Sequence, residues 1–167
     1  MFDHVNTPEE WYEFKLGAAL KMENTIVEML DDLVDAARDE ALKSSLQHHR
    51  QETKAHADRL EQVFTAMGWE VDDSPCPAIE GIQKEGKANI KMADESIVDA
   101  VVLAGVLETE HHEIAAYEGL IIQAQAMGRG DVVDLLRQNL EQEQAALEKG
   151  RSALERMAAR KGAHQQV

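Results

Sequence analysis

The chain has 167 residues, 44% hydrophobic and 4% aromatic, with a formal charge of -15 and a single cysteine. That length suits one domain with a real core. The charge leaves no basic face to displace counterions from phosphate, which excludes a nucleic-acid binder, and an anionic membrane would repel it equally.

The longest apolar run, Ala100 to Leu107, falls far short of the roughly 20 residues that a bilayer crossing needs. Met1-Phe2-Asp3-His4 lacks the basic-then-apolar order of an export signal. A cytoplasmic protein is therefore expected, and the lone Cys76, which cannot form an intramolecular disulfide, agrees with a reducing compartment. Few prolines and many Ala, Leu, Glu and Gln residues favour an all-α fold.

Thr7-Pro8-Glu9-Glu10 reads as a helix start, with Thr7 as cap, Pro8 in the first turn and Glu10 completing a capping box. The first helix then runs to about residue 37, on a stripe of Tyr12, Leu16, Leu20, Glu23, Val27, Leu30 and Val34. Glu23 is an acid in an apolar row. The second helix starts at Asp39-Glu40 and stops at Gly68, on Leu42, Leu46, His49, Glu52 or Thr53, His56, Leu60, Val63 and Met67. Three polar positions stand together at its centre.

Residues 69–94 break the periodicity at Asp72-Asp73-Ser74-Pro75-Cys76-Pro77 and resume as a weak helix around 78–92, which makes them a crossover within one domain. The third long helix, from about 95 to 127, opens with Ser96-Ile97-Val98-Asp99 as a capping box and ends at Gly128. Its stripe of Val102, Val106, Glu110, Glu113, Tyr117, Leu120 and Ala124 carries two acids. Asp131 caps the fourth long helix, which runs to about 160 on Val133, Leu136, Leu140, Glu143, Leu147 and Leu154. The tail 161–167 has no periodicity and is expected to be frayed and disordered.

Every long helix thus carries a carboxylate on its apolar stripe, within about three residues of its midpoint, or roughly 5 Å at 1.5 Å per residue. Packed side by side, Glu23, Glu52, Glu110, Glu113 and Glu143 share one layer. Such a layer cannot be fully ionised without cations. Carboxylate oxygen with imidazole nitrogen suits iron or manganese, and the inventory matches the inward glutamates of ferritin-like di-metal bundles. His49 and His56 face inward with these acids. His56 reads as a ligand or as a satisfied core histidine, and His49 as a ligand or as a support that orients a carboxylate. His48 and His111 point outward or toward a neighbouring helix, His112 falls about 100° from Glu113 and so lies behind the ligands or at the surface, and Tyr117 is a core aromatic whose hydroxyl reaches a carboxylate. No local spacing brings a histidine to Cys76, which reads as a packed small residue.

His49-Arg50-Gln51-Glu52-Thr53, the segments Arg59 to Phe64 and Cys76 to Gly81, and above all Glu110-His111-His112-Glu113-Ile114-Ala115-Ala116-Tyr117 resemble the motifs of the YciF/YciE ferritin-like stress-protein family. The likeness extends from about Trp11 to Leu154. It implies a bacterial, dimeric ferritin-like bundle linked to stress responses, with no firmly established reaction. The wider ferritin and rubrerythrin pattern places Glu on the first helix, Glu-x-x-His on the second, one or two Glu on the third and Glu-x-x-His on the fourth. Glu23 and the pair Glu110/Glu113 match it. The second helix departs, because Ala55 stands three beyond Glu52, and the fourth departs further, because Ala146 stands three beyond Glu143.

The expectation is an all-α ferritin-like four-helix bundle over residues 1–160, with a long crossover containing a short extra helix. Its layer binds two iron ions, with manganese as the other candidate, through Glu23, Glu52, His56, Glu110, Glu113, Glu143 and His49. A homodimer that reacts O2 or peroxide with electrons from a separate reductant is the leading functional expectation. The other is a non-enzymatic stress or interaction protein with the same bundle and no catalytic metal.

Overall fold

Thr7 Oγ1 accepts from Glu10 N at 3.1 Å, and Glu10 Oε2 reaches back to accept from Asn6 N at 2.7 Å. These bonds satisfy donors at a helix start that have no intrahelical partner. They open α1, Pro8–Ala36. Asp39 Oδ1 accepts from Leu42 N at 2.9 Å and opens α2, Glu40–Met67, which stops at Gly68 with a left-handed φ of 77°. The crossover carries α3, Pro77–Met92, and two long helices follow, α4 at Val98–Ala126 and α5 at Gly130–His164. The computed structural model describes residues 4–164, with side chains for 4–159.

The helices pack as two hairpins, α1 with α2 and α4 with α5, joined through α1 against α4 and α2 against α5. α3 lies across α1 and α4. This is the all-α ferritin-like bundle, with the short extra helix in the crossover. Among the described residues no helix is long and apolar enough to cross a membrane.

Three local expectations are corrected. Asp99 does not cap its own helix: α4 starts after Ile97 with no side-chain cap, and Asp99 instead accepts from Arg38 N at 2.6 Å and Asp39 N at 3.2 Å, tying α4 to the α1–α2 turn. Asp131 is not the cap of α5 but lies within its first turn, where its carboxylate pairs with Arg129 at 2.7 and 3.0 Å. Finally, α5 continues through 161–164, which the lost periodicity assigns to the tail; Lys161 and Ala163, of good helix propensity, outweigh Gly162 there. Residues 165–167 of that tail lie outside the described residues.

The core is asymmetric along the bundle. At one end Tyr12, Leu16, Leu60, Phe64, Leu120 and Leu136 are completely or almost completely buried. In the middle lies a layer in which Glu23, Thr53, His56, Glu113, Asn139 and Glu143 are 0% exposed. Toward the other end α2 and α5 leave a cleft over α4, lined by Leu42, Leu46, Leu103 and Val106.

Candidate metal centre

Each long helix brings its polar residues inward because they continue the spacing of its apolar stripe. On α1, Glu23 follows Leu16 and Leu20; on α4, Glu110 and Glu113 sit between Val106 and Tyr117; on α5, Glu143 comes one turn after the buried Asn139. On α2 the inward run is His49, Thr53, His56, with Thr53 Oγ1 donating to the His49 carbonyl at 3.0 Å. Thr53 therefore takes the stripe position that Glu52 was expected to share.

Six side chains converge in two groups whose potential ligand atoms lie within 4.8 Å of one another: His49, Glu110, Glu113 and Glu143, and then Glu23, His56 and Glu143. Glu143 belongs to both. His49 Nε2 is 2.9 Å from Glu110 Oε1 and 3.9 Å from Glu143 Oε2, while His56 Nδ1 is 2.6 Å from Glu143 Oε1 and 3.7 Å from Glu23 Oε2. Of the residues expected at the site, Glu52 is in neither group. Its side chain is 20% exposed, and its carboxylate faces His49 Nδ1 at 3.6 Å and His48 Nε2 at 3.4 Å. It stands behind His49 rather than beside the other acids.

A second row of contacts holds the centre from one side. His56 Nε2 lies 2.9 Å from Gln142 Oε1, which also accepts from Arg59 Nη1 at 3.0 Å. An amide oxygen can only accept, so Nε2 carries the proton and the Nδ1 lone pair of a neutral ring faces the acids. Arg59 also donates to Asn139 Oδ1 at 2.8 Å, and Asn139 Nδ2 donates to Tyr117 Oη at 2.9 Å and to the His56 carbonyl at 3.2 Å. Tyr117 in turn donates to Glu23 Oε1. Arg59, Asn139 and Gln142 were absent from the sequence expectation. A polar residue one turn from a ligand, as Asn139 is from Glu143, was the available signal.

The electrostatics follow from burial. Burial drives Glu113 well above the ordinary carboxylate range, and the charges of Glu143, Glu110 and Glu23 add to it. Burial also raises Glu23 and Glu143, against the lowering pull of His56. Burial alone would depress the two histidines, but the carboxylates around them prevail: Glu110 and Glu143 carry His49 to about 9, and Glu143 and Glu23 carry His56 to about 10.

The family described as Domain of unknown function (DUF892) matches residues 7–163. The chain belongs to the DUF892 family. It is 28% identical over 144 residues to Protein YciF of Escherichia coli K12, which covers 85% of this chain and 87% of that relative. The crystal structure of the E. coli stress protein YciF matches with a TM-score of 0.88 at 25% identity, covering 93% of this chain and 99% of that one. YcfI of Rhodopseudomonas palustris, for which a structural role is proposed, matches with a TM-score of 0.86 at 33% identity, covering 90% and 98%. A protein of Xanthomonas campestris, 18% identical with a TM-score of 0.74, shares the fold.

In this DUF892 chain each of the two groups could hold a metal ion. Glu23 Oε2, Glu110 Oε2, both oxygens of Glu113 and of Glu143, both nitrogens of His49 and Nδ1 of His56 are buried without a properly directed hydrogen bond. His49 Nε2 and His56 Nδ1 stand beside carboxylate oxygens, and the potential ligand atoms of each group lie within 4.8 Å of one another. Leaving ionised groups in that state costs several kcal/mol each. A cation in each group would offset the charge of the four buried carboxylates.

His48 and His111 are exposed, as expected. His112 is half-buried, with Nε2 4.0 Å from Cys76 Sγ. Local spacing could not reveal that meeting, because it joins the crossover to α4.

Proposed function

We propose that this chain is a di-metal carboxylate protein of the bacterial stress response, holding two iron or manganese ions between its four long helices. The observation that carries the reading is Glu143, buried and common to two groups of potential ligands. Glu23, His56 and Glu143 would hold one ion, and His49, Glu110, Glu113 and Glu143 the other. Glu52 supports His49 through Nδ1. The stress assignment comes from E. coli YciF, named a stress protein.

Bound as a reduced pair, the ions would supply electrons to O2 or peroxide. The chain's own residues do the rest. Gln142 fixes the His56 ring so that Nδ1 faces inward, and Tyr117 holds one oxygen of Glu23 while leaving the other free. The packed end of the core keeps bulk water from one side of the layer, and the cleft over α4 gives access from the other, at His49 and Glu110. Reducing equivalents come from a separate partner, the protein works in the cytoplasm, and it assembles as a homodimer. Metal analysis and anomalous scattering on protein purified without chelator test the reading. Two ions per chain on these side chains are expected, and a layer free of metal after Fe(II) soaking contradicts it.

A second reading, a non-enzymatic stress or interaction protein, draws on the structural role proposed for R. palustris YcfI. In that case histidinium–carboxylate pairs and protonated acids satisfy the layer, and a chelator leaves the melting temperature unchanged.

A further inference from the structure

The cleft between α2, α4 and α5 encloses about 670 Å³. Ligand sites for small molecules span roughly 300–1,000 Å³. Along α2 it reaches from Asp39 to Glu52, about 20 Å at 1.5 Å per residue. Leu42, Leu46, Leu103, Val106, Ala153 and Met157 make its walls apolar. At its inner end stand His49 and Glu110, whose side chains are 9% and 1% exposed. Both His49 nitrogens and Glu110 Oε2 lack a hydrogen-bond partner there. The volume and the apolar walls fit a small amphiphile.

The rim has a sign. Its acids are engaged: Asp39 accepts from Leu42 N at 2.9 Å, Glu148 lies 3.4 Å from Arg151, and Glu52 faces His48 and His49. Lys149 and Arg156, seven residues and so two turns apart on one face of α5, line the same cleft with no ion pair among the described residues. The bonds His56–Gln142 and Arg59–Asn139 show that α2 and α5 run antiparallel. Arg156 therefore lies with Asp39 at the outer end, and the metal layer at the inner one. These two cations offer an anion a local partner in a chain whose net charge of -15 otherwise repels one.

We propose that this cleft binds a free long-chain carboxylic acid, with its carboxylate at Arg156 and its apolar tail running along Leu42, Leu46 and Val106 toward His49 and Glu110. The occupancy of the cleft stands on its own geometry. The further statement that the tail end approaches a metal pair rests on the function proposed above.

Calorimetric titration of metal-free protein with laurate tests the occupancy, with dodecanol, dodecyltrimethylammonium and acetate as comparisons. One saturable laurate site is expected, with dodecanol weaker by about tenfold, a difference of 1.4 kcal/mol, and no site for acetate or the cationic amphiphile. Arg156→Glu should weaken laurate by at least about tenfold. Leu46→Trp, which fills the slot, should abolish binding while the helical circular dichroism persists; Ala153→Met fills it from the facing helix if Leu46→Trp misfolds. In cobalt-loaded protein, laurate should shift the visible absorption of the metal.

Laurate binding with no cobalt uptake would sink the metal reading and leave the cleft standing. Cobalt uptake without laurate binding would overturn the cleft proposal, as would equal binding of all three amphiphiles. Loss of a dimer on Leu46→Trp, with no laurate binding to the parent protein, would assign the cleft to a second copy and overturn it as well.

Discussion

His49 and His56 lie two turns apart on α2, and each meets a buried carboxylate. Their protonated forms are favoured in the folded protein, at about 9 and about 10 against an ordinary 6.5. A raised pKa contributes stability that is complete below the unfolded value and is lost as pH rises through the folded one. Glu113, also raised, acts with the same sign. Chelated protein should therefore lose thermal stability steadily from pH 6.5 to pH 10, measured by calorimetry. Metal affinity should move oppositely and rise with pH, because ligation displaces these protons. Glu113→Gln removes a buried acid that lacks a hydrogen bond. In chelated protein at pH 8 it should raise stability by about 1–3 kcal/mol, or several degrees, while cutting metal uptake. A drop in the melting temperature of the chelated variant would count against that account of the layer. Glu52→Ala should keep both ions and weaken their binding by roughly 10–100-fold, the usual effect of losing a group behind a metal-ligating histidine.

Gly17 ties the long helices to the crossover. A Cβ there would stand 2.7 Å from Ser74 Oγ, 2.8 Å from Ser74 N and 2.9 Å from the Asp72 carbonyl oxygen. Two of those atoms are backbone, so the crossover itself would have to move. Gly17→Ala should destabilise the protein by about 1–3 kcal/mol, despite the better helix propensity of alanine, as read by urea denaturation. Gly81→Ala, with open space around it, serves as the control and should be neutral or stabilising. The helices themselves were legible in the chain, because caps such as Thr7 and Asp39 and stops such as Gly68 carry local signals. The inward acids were legible too, as carboxylates at stripe positions. Glu52 was placed less well: on a helix, neighbouring residues differ by about 100°, and periodicity alone could not choose between Glu52 and Thr53. Asn139, Gln142 and Arg59 were missed because a polar residue bonded inside a bundle has the same sequence appearance as one facing water. Asp99 was misread because its partners, Arg38 N and Asp39 N, are some sixty positions away.

At the scale of the whole molecule, one end of the bundle is closed by aromatic and leucine packing and the other is opened by a cleft, with the polar layer between them. That asymmetry gives the proposed centre a sheltered side and an entrance. A homodimer is expected from light scattering, with a mass near twice 18.6 kDa. The central claim is that the buried layer exists to hold two cations, and the most direct measurement is metal content together with melting temperature, before and after Fe(II) loading and again after chelation. The account predicts two ions per chain and a loss of many degrees when they are stripped. Protein that takes up no iron, and melts at the same temperature with and without chelator, would contradict it.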